Sequence, residues 1–143
     1  MIKIDKNGVW FYNGMEMFRK DIVKLFYDHL KRDESGNYLI ELGDDLSLIE
    51  VEDVPYVVKA VYKKDKYIEI LLNDSTTEKL DPSTLRVGAE NILYCSVRKG
   101  KFEARFSRAA YYQIAEFIEY KSDKRAFYIP LNKCNYYIIN SCS

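Results

Sequence analysis

Histidine, cysteine, proline and glycine are all scarce in this chain of 143 residues, and their scarcity excludes several classes of protein. The sequence contains one histidine, His29, three cysteines without a CxxC pair, three prolines and six glycines. These counts argue against a structural zinc site and against a disulfide framework. The chain also has no GxxxxGK[ST] phosphate loop, no GxGxxG after a strand, no HExxH and no GxSxG elbow. We therefore predict no catalytic residue, no cofactor and no metal site, and an enzyme is the less favoured interpretation.

Net charge and long apolar runs are missing too. Twenty-two basic residues balance twenty-two acidic residues, so no global field draws the chain to a nucleic acid polymer or an anionic membrane. No run approaches the roughly 20 apolar residues that span a bilayer, and the opening residues MIKIDKNGVW lack the apolar core of a signal peptide. We expect a cytoplasmic protein that binds neither membranes nor nucleic acid polymers.

Hydrophobic and aromatic residues are abundant, at 48% and 15% of the chain, which suffices for one domain or two small lobes. Alternating apolar residues around Asn7-Gly8 predict an opening hairpin. Helical spacing predicts one helix over residues 18–30, beginning with Phe18, and a second helix after a cap at Ser107. Strands are predicted at residues 38–42, 46–51, 54–62, 67–72, 126–130 and 136–139.

The order of these elements recurs along the chain. Residues 1–51 and residues 91–139 both give a hairpin, a helix and two strands, which indicates a duplication. The predicted fold class is α+β, with two related hairpin-helix-hairpin units and antiparallel sheets. The units are residues 1–72 and residues 73–143, packed as one compact body. The alternative without duplication stays open, because a hairpin followed by a helix is common in α+β proteins.

The segment LYCSVRKGKFEARFSR, residues 93–108, predicts a hairpin with one apolar face and one charged face. With Lys99 and Gly100 in the turn, the apolar face carries Leu93, Cys95, Val97, Phe102, Ala104 and Phe106. The charged face carries Tyr94, Ser96, Arg98, Lys101, Glu103 and Arg105. Arginine forks hold phosphates and carboxylates well, and Arg108 follows at the start of a helix. The alternative is a solvated face whose ion pairs contribute little.

Three further positions bear on a binding site. Glu52 and Asp53 either partner the arginines of the charged hairpin or form a solvated edge. Trp10 is expected on the wetter face of its strand, where its ring could stack on a ligand. Cys95 is expected to be a small buried hydrophobe, and His29 a half-buried histidine with no metal to bind.

Four segments of the chain, in order, resemble a bacterial family of domains of unknown function, number 1285. The segments are IKIDKNGVWFYNG (2–14), FRKDIVKLF (18–26), IEVEDVPYVV (49–58) and LYCSVRKGKFEARFSRAAYY (93–112). The resemblance implies two related α+β units, the second similar to pleckstrin-homology domains, with a ligand site at the interface between units. It also implies a nucleotide-like ligand and a role in signalling. The residues that it implies for the site are Trp10, Glu52, Asp53, Arg98, Glu103, Arg105 and Arg108.

Two functions from different classes follow from these observations. The first is a binding module for an anionic, nucleotide-like small molecule, with arginines on the phosphate, Glu103 or Asp53 on a hydroxyl or amine, and Trp10 or Tyr94 on a ring. The second is a protein interaction or homodimerisation domain without a small-molecule ligand. The ligand-binding set is Arg98, Arg105, Arg108, Glu103, Asp53, Glu52, Trp10 and Tyr94.

Overall fold

The computed structural model describes residues 1–140, and it divides the chain into two compact units, Met1–Pro55 and Tyr56–Ser143. The division differs from the predicted division after residue 72, because the strands of residues 56–72 pair with the charged hairpin in one sheet. None of the described helices is long and apolar enough to cross a membrane. The predicted strand-rich mixture of helices and strands is confirmed, and Cys142 lies outside the described residues.

The first unit contains one helix and a six-stranded sheet with the order β3-β2-β1-β6-β5-β4. Its elements are β1 (Ile2–Ile4), β2 (Trp10–Tyr12), β3 (Met15–Glu16), α1 (Lys20–Asp28), β4 (Leu30–Arg32), β5 (Tyr38–Leu42) and β6 (Asp45–Val51). Helix α1 begins two residues after Phe18, and Phe18 is 79% exposed, so its predicted place on the buried helix stripe is wrong. Tyr27 is the buried residue of α1, and its hydroxyl donates to the carbonyl oxygen of Pro55 at 2.7 Å.

The second unit contains a seven-stranded sheet, a helix and a three-stranded sheet. Its elements are β7 (Tyr56–Lys63), β8 (Ile68–Leu72), β9 (Thr77–Lys79), β10 (Arg86–Val87), β11 (Leu93–Val97), β12 (Phe102–Phe106), α2 (Arg108–Ala115), β13 (Glu119–Lys121), β14 (Ala126–Leu131), β15 (Cys134–Tyr137) and β16 (Ile139–Asn140). The predicted cap of α2 is confirmed, because the Ser107 hydroxyl accepts a hydrogen bond from the Ala110 amide at 3.1 Å. Two short 3-10 helices, Pro82–Thr84 and Ala89–Asn91, flank β10.

The two large sheets share one strand order. The first sheet has the order β3-β2-β1-β6-β5-β4, and the second has the order β9-β8-β7-β12-β11-β10, with β16 added beside β10. If β7 is counted as the first strand of the second sheet, the two orders are the same. In both sheets the first and last of the six strands pair in parallel, and the other neighbours among these six are antiparallel. The added strand β16 pairs with β10 in parallel. The predicted antiparallel pairing is therefore confirmed for the hairpins, but both large sheets also contain parallel pairs.

The shared strand order shows that the repeated segments differ from the predicted ones. Residues 2–51 correspond to residues 56–106, whereas the sequence pattern aligned residues 1–51 with residues 91–139. The charged hairpin β11–β12 corresponds to β5–β6, not to the opening hairpin. The predicted repeat was aligned so that α1 and α2 corresponded to each other. In the structure, α1 comes after the third strand of its sheet and α2 after the sixth, so the two helices do not correspond. Strand pairing is set by long-range contacts, which the local order of elements does not contain.

Candidate functional site

The candidate site is the polar face of the seven-stranded sheet, formed by Arg86, Tyr94, Ser96, Glu103 and Arg105. Pairing register puts Arg86 and Arg105 on either side of Tyr94, and Ser96 opposite Glu103. Because directly paired residues project to the same side of a sheet, all five side chains share one face. The predicted two-faced hairpin is confirmed, since Leu93, Cys95, Val97, Phe102, Ala104 and Phe106 are all buried.

An arginine–carboxylate pair stacked on a tyrosine lies at the centre of the polar face. The Nε and Nη2 groups of Arg86 both donate to Oε2 of Glu103, Nε at 2.8 Å. The same guanidinium lies over the ring of Tyr94, 4.3 Å from its centroid. Arg86 and Glu103 are about one-third exposed, with side-chain exposures of 30% and 36%. A planar guanidinium suits both contacts, and its stacking fixes where the charge lies.

Gly88 makes room for this arrangement. A Cβ atom at residue 88 would lie 2.8 Å from Cε2 of Tyr94, closer than such atoms approach in proteins. The absence of a side chain therefore lets the Tyr94 ring lie against the backbone, below the guanidinium of Arg86. The ring of Tyr94 is buried, and only 8% of the residue is exposed.

Arg98 does not belong to the polar face. Residues 98–101 form the turn of the hairpin, and Arg98 Nη2 donates to Oδ2 of Asp74 and, at 3.2 Å, to the hydroxyl of Thr76. Its guanidinium lies 5.5 Å from the ring centroid of Tyr56, a residue of the buried face. Burial acts to lower the pKa of Arg98, but interactions with Tyr56 and Asp74 outweigh it and raise the pKa. Arg98 thus holds the hairpin turn to the turn between β8 and β9.

The other predicted site residues lie in different places. Arg108 is the exposed first residue of α2. Glu52 and Asp53 belong to the first unit, where exposed Glu52 accepts a hydrogen bond from the Lys6 amide at 3.3 Å and Asp53 is half-buried. Within residues 1–140, no three His, Cys, Asp or Glu side chains come close enough to hold a metal ion together.

Trp10 contradicts its predicted exposure. It is 1% exposed, and the centroid of its ring lies 4.9 Å from the ring centroid of Tyr27 and 5.8 Å from that of Phe26, both on α1. Trp10 pairs with buried Ile4, so the core face of β2 is the face opposite Phe11. The alternation of the strand is as predicted, but the choice of buried face is wrong. Nothing within the strand distinguishes the face that α1 covers.

Arg86 is the residue that sequence reasoning missed. It lies in a strand of two residues between two short 3-10 helices, too short for any alternation to be recognised. The only local signal is Gly88, two residues after Arg86, because glycine is typical of positions where another group lies close to the backbone. Glu103, predicted to hold Arg105 or a ligand, is instead held by Arg86.

Three comparisons relate the chain to known proteins. Residues 1–54 match the family described as "Domain of unknown function (DUF1285), N-terminal domain". No curated protein matches the chain. The crystal structure of a DUF1285 family protein from Silicibacter pomeroyi DSS-3 is similar in fold, with a TM-score of 0.81 and 21% identity, over 98% of this chain and 80% of that chain. A DUF1285 family protein from Shewanella baltica OS155 gives a TM-score of 0.69 and 19% identity, over 80% of this chain and 90% of that chain.

The match of residues 1–54 and the shared fold agree with the resemblance found in the four sequence segments. The structural likeness, at 21% and 19% identity, concerns the fold alone. The family prediction is confirmed for residues 1–54, which match the N-terminal domain of the DUF1285 family, and the fold of the chain is shared with DUF1285 family proteins.

Proposed function

We propose that the protein is a binding module for an anionic, nucleotide-like small molecule, which the polar face of the second unit holds. The observation that carries the proposal is the stacked Arg86–Glu103 pair beside Arg105 on a half-buried sheet face. Purely structural ion pairs on a sheet face contribute little and are usually well exposed. Here two arginines and a carboxylate are gathered around a buried ring.

Arg105 is the proposed anion contact. It lies opposite Tyr94 and two residues from Glu103 on the same strand face, so their Cα atoms are about 7 Å apart. Its guanidinium carries five N–H donors in a planar fork, which matches the geometry of a phosphate or carboxylate. Arg86, whose Nε and Nη2 donate to Glu103, would add positive charge without changing position.

Glu103 is the proposed acceptor for a hydroxyl or amine of the ligand. Both hydrogen bonds from Arg86 go to Oε2, and Oε1 accepts none from the described residues. A ligand that carries both a donor group and an anionic group would therefore contact Oε1 of Glu103 and the fork of Arg105 together. A sugar phosphate has groups of these two kinds.

Thermal unfolding with a panel of probes tests the proposal. Adenosine monophosphate, ribose 5-phosphate and inorganic phosphate are added to the wild-type chain and to the Arg105→Gln and Glu103→Gln variants. A ligand that binds the folded state raises the unfolding temperature. Loss of a charge-assisted hydrogen bond costs about 1.5–3 kcal/mol, so we expect at least roughly tenfold weaker binding in Arg105→Gln.

A matched control is Arg125→Gln, which removes an exposed arginine from the three-stranded sheet's first turn and should leave probe binding unchanged. Circular dichroism checks that each variant is folded. If no probe shifts the wild-type unfolding temperature, or if Arg105→Gln binds like the wild type, the polar face is not the site.

Three finer inferences belong to the same proposal. The second unit would be a pleckstrin-homology-like module, a class in keeping with its sheet and its following helix. The protein would act in the cytoplasm, where phosphorylated metabolites are abundant. It would serve signalling by reporting the concentration of its ligand to another molecule.

A further inference from the structure

Leucines occupy the face of the six-stranded sheet that is opposite its core. Leu46 and Leu48 of β6 are 61% and 57% exposed, and Leu39 of β5 pairs directly with Leu48. Phe11 of β2 projects to the same side, since it pairs with Lys3, which in turn pairs with Glu50. We call this surface, formed by Phe11, Leu39, Leu46 and Leu48, the leucine face.

The core of the first unit lies on the other side of this sheet. Ile4, Trp10, Ile40 and Ile49 are buried there, and Trp10 contacts α1. An antiparallel sheet with one buried face normally presents polar residues on its solvated face. The leucine face departs from that pattern over two adjacent strands. Exposed apolar clusters with a polar rim commonly mark interaction surfaces.

Charges of both signs surround the leucines. On the β4 side, Lys31 pairs with Leu39, and its Nζ lies 4.0 Å from Oε2 of Glu41. On the β1 side, Lys3 and Glu50 are directly opposite each other, and Glu16 lies further out on β3. Each side of the leucine face thus offers both a cation and an anion to whatever covers it.

We propose that the leucine face is the contact surface between two copies of this chain. A two-fold axis that lies in the contact plane and runs along the strands brings the β4 side of one copy against the β1 side of the other. Lys31 then faces the side that carries the partner's Glu50, and Glu41 the side that carries the partner's Lys3. A uniformly acidic or basic partner would meet like charges on both sides. The whole chain is neutral, with 22 basic and 22 acidic residues, so no long-range repulsion opposes self-association.

Sedimentation equilibrium of the full chain tests this inference over concentrations from about 1 μM to about 500 μM, a range that covers weak dimers. The test variant is Leu48→Lys, which puts a charge at the centre of the leucine face. The matched control is Leu25→Lys, which makes the same change at a 45% exposed leucine on α1, outside this face. We expect the wild type and Leu25→Lys to form dimers and Leu48→Lys to stay monomeric, with at least roughly tenfold weaker association.

Other outcomes overturn the inference. A wild-type chain that is monomeric over the whole range removes the dimer, and a Leu48→Lys chain that still dimerises moves the contact to another surface. Equal loss in both variants means that added charge alone prevents association. If Leu48→Lys does not fold, as judged by circular dichroism, Leu46→Lys makes the same test at the more exposed neighbour. The result is independent of ligand binding, which concerns the other sheet.

Discussion

At the scale of single residues, partners matter more than residue type. Sequence reasoning treated Arg98, Arg105 and Arg108 as one group of anion ligands. In the structure, Arg98 is held by Asp74 and Thr76, Arg105 lies on the polar face and Arg108 is exposed at the start of a helix. The arginine that donates to Glu103 is Arg86, a residue that no pattern predicted.

Removing Arg98 should destabilise the fold. The Asp74 side chain is fully buried, and truncation of Arg98 would leave its carboxylate without a cation. Breaking such a pair costs about 3–5 kcal/mol when both partners are buried, and Arg98 is one-third exposed, so we expect a loss of about 2 kcal/mol in Arg98→Ala. Urea unfolding measures the change. Lys101→Ala, an exposed change in the same turn, should cost little, and equal losses in the two variants would argue against the ion pair.

The two described cysteines should differ in reactivity. Cys95 is buried, and burial, with the nearby charges of Glu78 and Glu103, raises the pKa of its thiol far above the ordinary value. Cys134 is exposed. Because the thiolate is the reactive species, iodoacetamide at about pH 8 should modify Cys134 in the folded chain and Cys95 only after unfolding. Peptide mapping by mass spectrometry reads each site, and rapid modification of Cys95 in the native chain would contradict its burial.

At the scale of elements, short polar turns set strand ends as firmly as apolar alternation sets strand faces. Between β4 and β5, the Asp33 carboxylate accepts hydrogen bonds from the amides of Ser35 and Asn37 at 2.9 Å and 2.8 Å. The same device occurs in the opening hairpin, where Asp5 accepts from the amides of Asn7 and Val9. Such turns are readable from sequence, because an aspartate two residues before a polar residue or glycine is typical of them.

The Asp33 turn predicts a specific pH dependence. Hydrogen bonds from the Asn37 amide and its neighbours hold the pKa of Asp33 below its ordinary value of 3.8. A lowered folded-state pKa means that the stabilisation is complete above the unfolded-state value and is lost as the pH falls through the folded-state value. We expect the wild type to unfold at a higher temperature than Asp33→Asn at neutral pH.

That difference should shrink as the pH falls below the ordinary value of 3.8. Thermal unfolding followed by circular dichroism from about pH 7 to about pH 2.5 measures it. Asp44→Asn, at an exposed aspartate in the turn between β5 and β6, is the control. A difference between the wild type and Asp33→Asn that is constant across this range would show that the carboxylate charge contributes nothing to the turn.

At the scale of the whole molecule, a repeated sheet order organises the chain. Each large sheet contains two three-stranded antiparallel meanders, and one parallel strand pair joins the two meanders. This arrangement occurs in residues 2–51 and again in residues 56–106. A small three-stranded sheet follows α2. The charge balance of the chain belongs to this scale too, and it has a consequence for solubility.

Solubility should be lowest close to the isoelectric point of about 6.6. Near this pH the net charge vanishes and copies of the chain no longer repel one another. Precipitation by polyethylene glycol at pH values on either side measures the effect, with less polymer needed near the isoelectric point than two pH units away. A solubility that rises steadily through this pH would mean that local patches, not net charge, control association.

The sequence by itself determined the strand-rich α+β class, the likeness of residues 1–54 to the DUF1285 N-terminal domain, the two faces of the β11–β12 hairpin and the Ser107 cap of α2. Each of these depends on residues a few positions apart, whose spacing fixes which side of a strand or helix they share. Only the tertiary structure decided which face of β2 is covered, and so buried Trp10, and which carboxylate each arginine meets. It also decided the parallel strand pairs and hence the true repeat. These features depend on contacts between residues tens of positions apart, whose register no local period records.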